Sequence, residues 1–174
     1  MKDSSKEYLF RSLLLISILI TIISSCRKYD LNGDVVDDSE LLEKIYLNAQ
    51  DSIEIDSQSL ILETELYRDF FPGVPDRDTR LMAPLFIVNT DSSLITKKFE
   101  IKTLYVINKE QIWISTPHPD DNYTMPIFKV FGISKDGPEW ETGIYVDVVV
   151  TIEDLITSKV NYLIASHQII TRAE

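Results

Sequence analysis

Short stretches of alternating apolar and polar residues, each closed by Pro, Gly or Asp, predict an all-β fold for residues 51–174. Two further observations agree. That region has no long 3.6-residue apolar period, and the single cysteine of the 174-residue chain lies outside it. With no second thiol an internal disulfide is excluded, so packing alone must hold the domain.

Taken in order, Ser52-Ile53-Glu54-Ile55 alternates, as does 59–67, where Leu60, Leu62, Thr64 and Leu66 share one face and Glu63 and Glu65 the other. Residues 71–78 hold two prolines, a glycine and alternating charges, which end pairing in a long turn. A strongly apolar run at 81–89 stops at Thr90-Asp91-Ser92-Ser93. Strands at 99–107 and 111–115 flank Asn108-Lys109-Glu110 with the spacing of a tight hairpin. After the loop 116–122 comes a strand at about 127–133, and 134–143 reads as a second long loop. The clearest strand, 144–151, pairs through a turn at 153–159 with 160–166, and 168–171 prolongs it past a bulge. About seven strands with such connections read as an antiparallel β-sandwich of immunoglobulin-like architecture. Ahead of it, residues 27–50 are polar and acidic and read as a flexible tether. Within them 39–47 forms either a short helix, with Leu41, Leu42, Ile45 and Tyr46 on one face, or an edge strand.

The candidate chemistry is sparse. Asp30-Leu31-Asn32-Gly33-Asp34 sets oxygens at alternate positions and looks like the start of an EF-hand or dockerin calcium loop. Val35 replaces the turning glycine and Leu41 stands where a bidentate Glu belongs, so an acidic spacer is the better reading. The loop acids Asp76, Asp78, Asp120 and Asp121 are the remaining candidates for calcium. The only histidines, His118 and His167, are the sole bases for a hydrolase, and His118 lies beside Asp120 and Asp121 in a proline-bounded loop. Asp147, inside a valine-rich strand, reads as an outward residue of a half-solvated sheet. Trp113 alternates with Ile112 and Ile114 and suits either core or a surface platform. Trp140, Phe70, Phe71 and Tyr145 are the aromatic candidates for a partner surface if the two long loops meet, while an end plug is the alternative for Trp140. The sequence shows no Gly-rich phosphate loop, Cys/His metal spacing or nucleophile-base-orienter set, although a triad could still assemble from distant residues around one of the two histidines. The expectation is therefore a non-enzymatic module without cofactor that binds a protein or glycan.

The N-terminus locates the protein. Lys2, Lys6 and Arg11 precede an eleven-residue apolar core at 13–23. A membrane-spanning helix needs about 20 such residues, so this core is too short to span. Ile23-Ser24-Ser25-Cys26 follows, and it resembles the lipobox of bacterial lipoproteins. That resemblance implies removal of residues 1–25, diacylglycerol on the Cys26 thiol and palmitate-like acylation of its new amine. It also implies a cell-envelope protein held to the membrane by lipid. Arg27 replaces the Asp that retains many lipoproteins in the inner membrane, which favours the outer one. The expected organisation is thus a signal peptide at 1–25, lipidated Cys26 with an acidic tether at 26–50, and a β-sandwich domain at 51–174. Removing residues 1–25 leaves 14 basic against 26 acidic side chains, a net charge of −12. Such a charge repels nucleic acid and anionic lipid surfaces.

Overall fold

The computed structural model describes residues 32–71, 79–96, 98–119 and 124–174. Their order is β1 (Asn32–Asp37), α1 (Ser39–Asn48), β2 (Ala49–Gln50), β3 (Ser52–Ile55), β4 (Gln58–Thr64), β5 (Leu66–Asp69), β6 (Leu81–Asn89), β7 (Phe99–Asn108), β8 (Gln111–Ser115), β9 (Lys129–Gly137), β10 (Tyr145–Asp154) and β11 (Val160–Ala173). The all-β expectation holds. The strands form one open, mixed sheet of eleven members, not seven antiparallel ones.

One half-sheet runs β1-β8-β7-β10-β11, and the other runs from β9 through β6 and β4 to β3. β11 belongs to both. Its first ten residues pair antiparallel with β10, and Ile170–Ala173 then runs parallel to β5. β2 adds a second parallel pairing, at Tyr162 and Leu163 of β11. These two pairings break the expected antiparallel rule: the fourteen-residue β11 outruns its hairpin partner and meets β5, while β2 adds to its other edge where it is still paired with β10.

β4 and β5 keep a single register against β6, from Leu60 opposite Asn89 to Arg68 opposite Leu81. The break falls at Glu65, opposite Pro84. Glu65 N–H donates to Pro84 O at 3.0 Å, but Pro84 has no N–H to return the bond. The Thr64 hydroxyl donates to the same carbonyl at 2.8 Å and secures the break. One missing proton thus divides one strand into two.

The inward residues of both half-sheets share a core that includes Leu60, Leu85 and Ile87 from one side and Leu104, Trp113, Val148 and Val150 from the other. Alternation on 59–67 predicts this face correctly, with Leu60, Leu62 and Leu66 buried. Trp113 is core, not platform, at 0% exposure. β9 extends to Gly137, well into the expected loop 134–143. A Cβ at Gly137 would stand 2.8 Å from the Trp113 ring and 2.9 Å from Leu81 Cβ, so only glycine lets β9 pass over the indole.

The expected tether is shorter than drawn. Residues 32–50 are part of the fold: Val35 and Val36 pair with Trp113 and Ile112, which adds β1 to the edge of β8. The Asp38 carboxylate then accepts from Glu40 N–H at 3.1 Å and Leu41 N–H at 3.0 Å and caps α1, resolving 39–47 as helix. Acidic side chains face water while Ile45, wholly buried, packs with Ile107, Ile112, Ile114 and Val149 on the outer face of the first half-sheet. Composition alone hid this because a one-sided helix on a sheet needs few apolar residues.

Candidate functional site: the uncovered corner of the outer face

α1 covers only part of that outer face. Under the helix lie Val149 of β10 and Tyr162 and Ile164 of β11. Further along the same two strands, a bulge sets Val146 opposite Gln168 but Val148 opposite Ala165. His167 absorbs the extra residue with a left-handed φ of +60°. Asp147 holds the bulge from both sides. Its Oδ1 accepts His167 N–H at 2.8 Å, and its Oδ2 accepts the Tyr46 hydroxyl of α1, also at 2.8 Å. Partial burial, together with this bond to a carboxylate, pushes the Tyr46 phenol up to about 12. Asp147 is outward-facing, as the two-residue period predicts, and its oxygens are committed to structure.

Beyond the bulge the face is bare. Tyr145 pairs with Ile169 and lies on the His167 ring, centroids 4.9 Å apart at 28°. Tyr145 is 58% exposed and Ile169 43%. Beside them, where β11 turns parallel to β5, a groove of about 470 Å³ is lined by Thr64, Glu65, Leu66, Tyr67, Gln168, Ile169, Thr171 and Ala173. Its threonine hydroxyls are occupied internally: Thr171 donates to Leu66 O at 2.9 Å and Thr64 to Pro84 O. With Tyr145 beside it, the groove offers an aromatic platform and apolar walls, with the Glu65 carboxylate among its lining. Sequence reading found Tyr145 and set Tyr46 on a possible helix face, but missed Tyr67 and Ile169 as site residues. The signal available for Ile169 was the prolongation of 160–166 past a bulge.

The other aromatic candidates lie elsewhere. Arg68, nearly buried, donates to Thr79 O at 2.5 Å, Glu139 O at 3.1 Å and Trp140 O at 2.8 Å, so the segments after β5 and β9 do meet. Phe70 lies under two guanidinium groups, with Arg172 4.2 Å and Arg68 5.2 Å from its centroid. Phe71 is 52% exposed. Trp140 is half-buried against the core and its indole N–H donates to Gln111 at 3.1 Å, the geometry of an end plug.

His118 lines a separate cavity of about 490 Å³ with Ser115, Thr116, Lys135 and Asp136. Its backbone bridges Ile133 with two bonds of 2.9 Å. Asp136 pairs with Arg80 at 2.9 Å, and no hydrogen bond joins the His118 ring to Ser115 or Asp136 among the described residues. At His167, it is the backbone N–H that meets Asp147; the ring lies against Tyr145. Among the described residues no three His, Cys, Asp or Glu side chains converge. Cys26, Asp76, Asp78, Asp120 and Asp121 lie outside those residues. No family model, curated protein or solved structure matches the chain.

Proposed function

We propose that this is a lipid-anchored cell-envelope protein, held in the outer membrane through Cys26, that works as a non-enzymatic binding or assembly module. We read its two half-sheets as the layers of an immunoglobulin-like sandwich, a reading supported by their shared core. The partner, a protein segment or a glycan, meets the corner formed by Tyr145, His167 and Ile169. One observation carries this: the same two strands are buried beneath α1 on one side of Asp147 and left bare, with an aromatic stack beside a groove, on the other. An exposed aromatic and an aliphatic side chain flanked by polar residues make a surface that gains by being covered.

A photo-crosslinking side chain at position 145, compared with one at Lys109 in the β7–β8 turn, tests the reading in intact cells. A discrete adduct from position 145 alone is expected. Equal or absent crosslinking at both positions would remove the corner as a binding site. Labelling with radioactive palmitate tests the anchor separately, and an unlabelled chain would remove it.

A further inference from the structure

A second exposed apolar surface lies at the end of the molecule opposite the β7–β8 turn, and it stands in a definite relation to the anchor. Three loop segments are laced together there. Ile95 N–H donates to Ile127 O at 3.0 Å, joining 91–96 to 124–128, and Leu155 N–H donates to Lys98 O at 2.8 Å, joining 154–159. The Lys98 ammonium ties the same end to the β3–β4 turn through Asp56 at 2.7 Å. From this laced end project Leu94, Ile127, Leu155 and Ile156, exposed by 61%, 66%, 54% and 62%. Four large aliphatic side chains on adjoining loop tips would be an unfavourable surface to leave in water.

The path of the chain supplies the occupant. β1 runs from Asn32, opposite Ser115, toward Asp37, opposite Gln111 beside the β7–β8 turn. The chain therefore enters β1 from the side of the loop end. Ser115 is level with Leu104, five residues along β7 from Phe99 at that end, a distance of about 17 Å at 3.4 Å per residue. Cys26 precedes Asn32 by six residues, and six residues span at most about 21 Å in any conformation. A lipid on Cys26 thus keeps the domain within one such length of the bilayer, and the end on the anchor's side is the one bearing the four aliphatic tips. Three of the carboxylates there are engaged within the fold. Asp56 holds Lys98, Asp154 accepts Ile156 N–H at 2.8 Å and the Thr157 hydroxyl at 2.7 Å, and Asp91 accepts Ser93 N–H at 2.8 Å.

We propose that this loop end is a membrane-docking surface, with Leu94, Ile127, Leu155 and Ile156 entering the headgroup–acyl boundary of the bilayer that holds the Cys26 lipid. The proposal rests on the lipid-anchored reading given above. Docking of this kind points the groove end of the molecule, where Tyr145 and Gly143 lie, away from the membrane. Exposed Lys159 sits at the rim, where its stem can lie along the apolar boundary while the ammonium stays wet.

The test uses the lipidated full-length chain in vesicles of phosphatidylethanolamine and phosphatidylcholine. Leu94→Cys, Ile127→Cys, Leu155→Cys and Ile156→Cys are labelled singly with an environment-sensitive fluorophore, and Lys109→Cys serves as the distant reference. All five positions lie on exposed turns or loops, so the fold tolerates them. Blue-shifted emission, quenched by lipids spin-labelled near the headgroup, is expected at the four tips and not at position 109. Water-like emission at all five, on protein whose Cys26 carries palmitate, overturns the docking surface and leaves the anchor intact. Protection in native envelopes but not in vesicles overturns it in favour of a protein partner at this end. Absence of palmitate on Cys26 overturns both readings.

Discussion

Two halves of one outer face are built from the same strands and meet different fates. On one side of Asp147, β10 and β11 present Val149, Tyr162 and Ile164 to a helix. On the other they present Tyr145, His167 and Ile169 to solvent. A tyrosine and an isoleucine stand on each side, so intrinsic preference alone does not separate them. What separates them is where α1 stops, and the bulge at Asp147 marks the line. Residue type sets what can be buried, and only the packing of a distant segment decides what is.

That contrast can be broken in steps of decreasing size. Ile45→Ala removes the one wholly buried residue of α1 and leaves a cavity over Ile112 and Val149. A loss of about 2–5 kcal/mol in urea unfolding is expected, and a loss under about 1 kcal/mol would mean the helix is not the cover described. Asp38→Ala takes away the cap of the same helix, at roughly 1 kcal/mol, read from the shift in urea midpoint.

Tyr46→Phe deletes the hydroxyl that ties α1 to the bulge and is expected to cost about 1 kcal/mol at neutral pH. The same phenol gives a pH signature. Its folded value lies above the unfolded one, so its stabilisation is complete below pH 10 and fades as pH rises from 10 towards 12. Urea midpoints of the native chain should therefore fall more steeply over that window than those of Tyr46→Phe. Parallel curves would show that the phenol is not held as described.

On the bare half, Ile169→Ala costs about 1 kcal/mol or less, because the side chain it trims is already 43% exposed. If unfolding instead shows a cost like that of Ile45→Ala, the corner is structural and the division between the two halves is lost.

Much of the fold is legible in the sequence wherever one face of a strand is buried. The two-residue period of 59–67, the hairpin around Asn108-Lys109-Glu110 and the pairing of 144–151 with 160–166 all reappear. Three features escape that reasoning for separate physical reasons. Residues 32–50 hide in acidic composition because α1 needs only one buried isoleucine and a few flanking contacts to dock. Gly137 looks like loop punctuation until Trp113 is placed beneath it. The parallel pairing with β5 depends on how far β11 runs after its hairpin partner ends, and that with β2 on a distant segment meeting its free edge, neither of which a local pattern encodes. Of the candidate site, Tyr145 is legible as an aromatic near a loop, whereas Ile169 reaches it through the antiparallel pairing past the bulge and Tyr67 through the parallel pairing with β5.

Because β11 is stitched to β10 over most of its length and to β5 at its tip, the two half-sheets own a strand in common. Neither can peel away without tearing rungs from the other. The molecule should come apart as one cooperative unit.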